Sequence, residues 1–171
     1  TTTLDNDGWV ATVDIDSSGN IGAVIDRLEF NVVDGTTPHI IKISDTIYAI
    51  AYSGTGADGF VTTINIDSAG NIANSVVDTL EFDISNGQYP RIIHISGDIY
   101  AIIYSGSASD GWINTVNIDP NGNIANSTID SFEFDSSNAI GMDIVHVSGD
   151  IFAIAYEGPG TDGWLVTLSI D

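Results

Sequence analysis

Apolar and polar residues alternate along this chain in short bursts, and each burst ends in a cluster of Gly, Asp, Asn or Ser. Residues 38–83 show the pattern best. Residues 38–44 read PHIIKIS, 46–53 read TIYAIAYS, 60–67 read FVTTINID and 76–83 read VVDTLEFD. Between them stand Gly54-Thr55-Gly56-Ala57-Asp58-Gly59 and Ser68-Ala69-Gly70-Asn71. These are turn residues: Gly reaches positive φ, and Asp and Asn bond local backbone. A period of two predicts strands, and no segment carries the i, i+3, i+4 apolar stripe of a helix. The expectation is an antiparallel meander of four strands, A to D in chain order.

The polarity of these strands changes in one direction. Strands A and B are apolar on both faces, with Ile40, Ile41 and Ile43, then Ile47, Tyr48, Ile50 and Tyr52. Strand C alternates Phe60, Ile64 and Ile66 with Thr63, Asn65 and Asp67, and strand D alternates Leu80 and Phe82 with Thr79, Glu81 and Asp83. A sheet that grows wetter from its first strand to its last fits a β-propeller blade. Its inner strands lie between neighbouring blades, and its outer strands reach solvent.

The unit is copied in tandem. Asp7-Gly8-Trp9, Asp58-Gly59-Phe60, Asp110-Gly111-Trp112 and Asp162-Gly163-Trp164 are spaced by 51, 52 and 52 residues. A unit this small buries its apolar face only by stacking on its neighbours. The chain then divides into strands C-D (1–37), two whole blades (38–89 and 90–141) and strands A-B-C (142–171). One residue is missing between strands C and D of the first copy, near Gly22-Ala23, opposite Ala73-Asn74-Ser75. The predicted fold class is all-β: tandem four-stranded antiparallel sheets, about three repeats plus one extra strand, with the ring incomplete in one chain. The extra strand is a second copy of C. This leaves three readings: a piece of a longer protein, a ring shared with other copies, or an open polymer joined through Asp162, Gly163, Trp164, Leu165, Val166, Thr167, Leu168, Ser169, Ile170 and Asp171.

The pattern PxIIxISGDIYAIAYSG…DGW…NIDxxGNI…DTLEFD resembles the tandem β-propeller-type repeats, about 52 residues long, of secreted and surface proteins of archaea and bacteria. The third copy departs from it, with Met142 where Pro38 and Pro90 stand. The resemblance implies a propeller blade and an extracellular or cell-surface location. It implies no activity.

Charge narrows the partners. The chain has 24 acidic residues against 3 basic ones, a formal net charge of −21. Nucleic-acid binding needs Lys and Arg to displace condensed counterions, so nucleic acid is excluded, and anionic membrane surfaces with it. No run of about 18 apolar residues is present, so no membrane insertion by a helix is expected. There is no cysteine, hence no disulfide or thiolate site.

Candidate sites come mostly from turns. Asp14, Asp16, Asp67 and Asp119 open D/N-x-D-x-x-G sequences that resemble the start of a calcium loop. They lack its later acidic ligands, so a β-turn is the plain reading and a weak Ca²⁺ site the alternative. No other cofactor is expected. Asn126-Ser127-Thr128 fits the N-glycosylation acceptor. Asp26, Asp78 and Asp130 share a strand face with Leu28, Leu80 and Phe132 and read as structural acceptors. Lys42, His94 and His146 occupy equivalent strand A positions, where a Lys spoils a three-histidine metal set. The adjacent column, His39, Arg91 and Asp143, also differs among copies.

No nucleophile motif, P-loop or dinucleotide fingerprint appears. A catalytic acid and base need different surroundings, and copies this alike give most carboxylates the same ones. The expectation is therefore no enzyme. The reading is a non-catalytic extracellular structural protein, self-assembling as a surface element or filament subunit with copies of itself as partners. The alternative is a glycan-binding β-propeller module.

Overall fold

The computed structural model describes residues 6–171; residues 1–5 of the first partial unit lie outside the described residues. Thirteen strands follow in chain order. β1 (Gly8–Ile15) and β2 (Ile21–Asn31) form a two-stranded sheet. β3 (Thr36–Lys42), β4 (Ile47–Ser53), β5 (Gly59–Asn65) and β6 (Asp78–Asp83) form a four-stranded meander. β7 (Gln88–Ser96), β8 (Ile99–Ser105), β9 (Gly111–Asn117) and β10 (Asp130–Asp135) repeat it. β11 (Ile140–Ser148), β12 (Ile151–Glu157) and β13 (Gly163–Ser169) form the last, three-stranded sheet. All pairings within these sheets are antiparallel.

Consecutive sheets stack face to face, and an apolar layer fills each gap. Phe30, Ile50, Tyr52 and Ile64 fill the first gap. Leu80, Phe82, Ile102 and Tyr104 fill the second, and Ile103, Met142, Phe152 and Ile154 the third. Each fully buried Ile or Phe contributes about 1.5–3 kcal/mol against exposure. The second strand of each whole sheet, β4 or β8, is buried on both faces; the fourth, β6 or β10, is not. The first strands β3, β7 and β11 approach one another, so the sheets fan out from a shared inner edge.

One hydrogen-bonding device joins each sheet to the next. Asp83 Oδ1 accepts the Ser85 and Asn86 N–H groups at 2.8 and 2.7 Å, which turns the chain toward the next sheet. Its Oδ2 accepts the Tyr104 hydroxyl of that sheet at 3.0 Å. Asp135 repeats the pattern with Ser137, Asn138 and Tyr156. In the first copy Asn31 replaces the acid, and its amide donates to the Tyr52 hydroxyl at 3.1 Å.

The missing residue near Gly22 has a visible effect. β2 runs for 11 residues straight from a tight turn, and Ile15 pairs with Ile21. In the second copy the chain folds back after Ile72, with Ala73 N–H on Asn65 O, and β6 begins only at Asp78.

Candidate functional site

Each first strand is bulged at its start. The register shifts between Thr36 and His39 in β3, between Gln88 and Arg91 in β7, and between Ile140 and Asp143 in β11. Thr37 (φ 50) and Tyr89 (φ 53) take the left-handed conformation there, and Gly141 (φ 59) takes it in the third copy. A β-branched Thr at positive φ is strained, on the order of 1–3 kcal/mol. Bulges re-aim the side chains beside them, and in all three strands the next paired residue differs from copy to copy: His39, Arg91 or Asp143.

These three sit at one register position on adjacent strands, opposite Ala51, Ile103 and Ala155. His39 bridges two sheets: the Ile92 N–H donates to its Nδ1 at 3.2 Å. That bond leaves the ring proton on Nε2. Partial burial holds the imidazole below its usual range; the Arg91 charge adds to this, and Asp143 opposes it. His39 is therefore a neutral ring that offers an N–H. Arg91 is half-buried, with one Nη1 bond to Pro90 O at 2.9 Å. Asp143 is exposed, and its Oδ1 accepts the Ile144 N–H at 3.0 Å. The set combines a neutral donor, a cation and a carboxylate.

A polar cleft of about 270 Å³ adjoins the bulges of β3 and β7, lined by Asp34, Thr36, Thr37, Gln88 and Tyr89 among others. Tyr89 is 40% exposed. Asp34 Oδ1, and Asn86 Oδ1 at the equivalent place, are buried without a hydrogen-bond partner among the described residues.

The turn candidates lie elsewhere. Asp16 Oδ1 accepts the Ser18 and Asn20 N–H groups, and its Oδ2 accepts the Asn20 amide. Asp67 and Asp119 do the same with their own turns. The Asn20, Asn71 and Asn123 side chains, then the turn amides, hold the three carboxyls below their usual range. Asp14 stands against Gly22 on the neighbouring strand. Among the described residues no three His, Asp or Glu side chains converge as a metal group. His94 Nε2–H donates to Gly97 O and His146 Nε2–H to Gly149 O, while their rings lie 5.1 Å from Tyr100 and Phe152. Asn126 is exposed in its loop. Within Asp162–Asp171, β13 pairs with β12 along one edge, and Leu165 is 70% exposed. Asp26 and Asp78 accept backbone N–H groups of the following sheet, from Ile72 and Ile124 at 2.8 Å.

No family model and no curated protein sequence matches the chain. Among solved structures it is similar to a protein assigned as an exo-beta-1,3-galactanase from Bifidobacterium bifidum s17. The identity is 11% and the TM-score 0.55, over 96% of this chain and 54% of that one. It is also similar to the periplasmic gluconolactonase PpgL of Pseudomonas aeruginosa, at 14% identity and a TM-score of 0.56, over 99% of this chain and 62% of that one. The chain thus spans little more than half the length of these proteins. The likeness gives the fold: an all-β, propeller-like array of four-stranded antiparallel sheets, with no closed ring among the described residues. No helix among these residues is long and apolar enough to cross a membrane.

Two expectations are corrected here. The sequence alone points to a non-catalytic structural and self-assembling protein, and to no enzyme. These two solved structures are both named for enzymes, so tandem blades of this kind are not a mark of a non-catalytic scaffold. The argument from uniform surroundings fails for a physical reason. It holds for the repeated turn and strand D carboxylates, but Asp143 has no carboxylate counterpart: His39 and Arg91 stand in its place in the other copies. The sequence does carry this signal, as a position that varies while Ile40, Ile92 and Ile144 beside it do not.

Proposed function

We propose that this chain forms part of a β-propeller hydrolase acting on a sugar-derived ester or lactone, with His39, Arg91 and Asp143 facing the substrate. The observation that carries this reading is the bulged inner edge, where three equivalent strands present a neutral ring, a cation and a carboxylate at one register. The two structural neighbours are named for carbohydrate chemistry, which supports the substrate class.

The proposed roles follow from the groups. The Asp143 carboxylate takes a proton from water, and the water oxygen attacks the carbonyl carbon. Arg91 and the Nε2–H of His39 hold the resulting oxyanion. The carbonyl reforms as the ring C–O bond breaks, and the leaving oxygen takes the proton from Asp143. A glycosidase needs two carboxylates flanking one bond, and this column supplies one. Tyr89 and the adjoining polar cleft would hold the rest of the sugar by stacking and hydrogen bonds. A secreted or periplasmic setting accords with the acidic surface and the second neighbour.

The test is a panel of aldonolactones, aryl esters of sugars and aryl galactosides, followed by proton release or chromophore. Lactone or ester opening that falls about 10²–10⁴-fold in Asp143→Asn is expected. Cleavage of galactosides alone, or full activity in Asp143→Asn, would refute the assignment.

A further inference from the structure

A cleft of about 340 Å³ opens between the two whole sheets, at the far end of the first strands from the bulges. Ser44 Oγ–H donates to Pro120 O at 2.8 Å and ties the end of β3 to the turn after β9. His94 Nε2–H closes the β7–β8 turn on Gly97 O at 2.9 Å, and its ring lies beside that of Tyr100. These bonds fix the walls. Lys42, Asp98 and Tyr100 also line the cleft.

Tyr100 is 3% exposed and packs in the apolar layer with Ile92 and Ile118. Its hydroxyl nevertheless has no hydrogen-bond partner among the described residues, whereas those of Tyr52, Tyr104 and Tyr156 each have one. Buried polar groups are as a rule hydrogen-bonded, so this hydroxyl is free for a group that enters the cleft. Burial, then the Asp98 charge, raise it above its usual range, so at neutral pH it keeps its proton and donates. Lys42 is one of 3 basic residues in the chain, and among the described residues no ion pair joins it to Asp98. The following copy has His94 and Phe152 at the places of Lys42 and Tyr100, so repetition does not account for the combination.

We propose that this cleft binds a small hydroxy acid, with its carboxylate on Lys42 and Tyr100 and a neighbouring hydroxyl on Asp98. The Lys42 ammonium and the Tyr100 hydroxyl both donate, which suits the carboxylate. The Asp98 carboxylate only accepts, and it repels a bare anion, so it selects a ligand with a hydrogen-bond donor beside the acid group. An α-amino acid shares that chemistry. The choice of hydroxyl over ammonium rests on the carbohydrate reading, because opening a sugar lactone releases a hydroxy acid. No residue of the inner-edge column takes part.

The probe is sodium gluconate, added to the intact protein and followed by backbone NMR and calorimetry. Salt at about 0.15 M screens long-range repulsion by the acidic surface. Saturable binding is expected, with the largest amide shifts at Ser44, Gly97, Asp98 and Tyr100. Sodium acetate, which lacks the hydroxyls, should bind at least about tenfold more weakly. Lys42→Gln and Tyr100→Phe should each weaken gluconate about tenfold. Neither side chain holds a hydrogen bond among the described residues, and Phe152 already stands at the place of Tyr100 in the next copy, so both variants should keep the native spectrum, which is checked before titration. No gluconate binding, tighter binding of serine than of gluconate, or shifts confined to His39, Arg91 and Asp143 would overturn the proposal. Gluconate bound here without any lactone turnover would support the cleft and count against the hydrolase assignment alone.

Discussion

Replacing Tyr104 with Phe isolates the device that joins one sheet to the next. Tyr104 is 1% exposed, so the substitution keeps the ring and its packing on Phe82 and removes one hydroxyl. That hydroxyl donates to Asp83 Oδ2 at 3.0 Å. Asp83 keeps its two amide donors on Oδ1, so the turn survives while Oδ2 loses its protein partner. A hydrogen bond to a charged group is worth about 1.5–3 kcal/mol. Asp83 is only half-buried and water recovers part of the loss, so about 2 kcal/mol is expected, or about 4–8 °C in melting temperature for a chain of this size. Tyr52→Phe is the internal control. There the partner is the neutral amide of Asn31 at 3.1 Å, and the cost should be about 0.5–1.5 kcal/mol. Urea unfolding of both variants, with m unchanged, measures the difference. A Tyr104→Phe loss equal to or smaller than that of Tyr52→Phe would refute the charged-acceptor argument.

Two further outcomes follow from the same contacts. Gly19 (φ 84) and Gly122 (φ 91) share a left-handed conformation, so alanine at either costs about 1–2 kcal/mol. Gly122→Ala also presses Ile47 and Thr63, whereas nothing lies within 4 Å of a Cβ at Gly19, so thermal melts should find Gly122→Ala the more damaging. Burial, then the hydrogen bond to Asp135 and its charge, push the Tyr156 hydroxyl up to about 12. Because the folded state holds this proton more tightly, the stability it supplies is full below pH 10 and lost as pH rises from 10 toward 12. Tyrosinate absorbance should lag in wild type, and Tyr156→Phe should flatten that part of the stability profile; a profile unchanged by the substitution would contradict it.

Most of the architecture was legible because its determinants are local. Alternation at Phe60-Val61-Thr62-Thr63-Ile64 and glycines at Gly54, Gly56 and Gly59 define strand and corner without reference to the rest of the chain. The boundaries missed where distant bonds decide them. Strand A starts at Thr36 rather than Pro38 because a bulge pairs Thr36 with Ser53. Strand D starts at Asp78 rather than Val76 because Ala73 and Val77 bond back to strand C outside the ladder. The candidate site was less legible. His39 is fixed by the Ile92 N–H, 53 residues away, and its protonation depends on burial and on Arg91 in another sheet. No single-repeat pattern encodes either.

Tandem copying explains why such a site can arise without disturbing the fold. The groups that hold sheet to sheet include the strand D acids, the strand B tyrosines and the turn glycines, and at the inner edge His39 adds one bond from the Ile92 N–H. A change at position 91 or 143 therefore alters the inner edge and leaves those bonds in place, whereas a change at 39 also removes the bond from the Ile92 N–H. Copying alone would put the same group at all three positions, and three equal charges at one register would repel one another. Substituting a neutral ring in one copy, a cation in the next and an anion in the third removes that repulsion and makes an asymmetric surface from symmetric parts. In a chain of near-identical units, the inner-edge positions that differ from unit to unit, 39, 91 and 143 among them, are thus where chemistry has room to act.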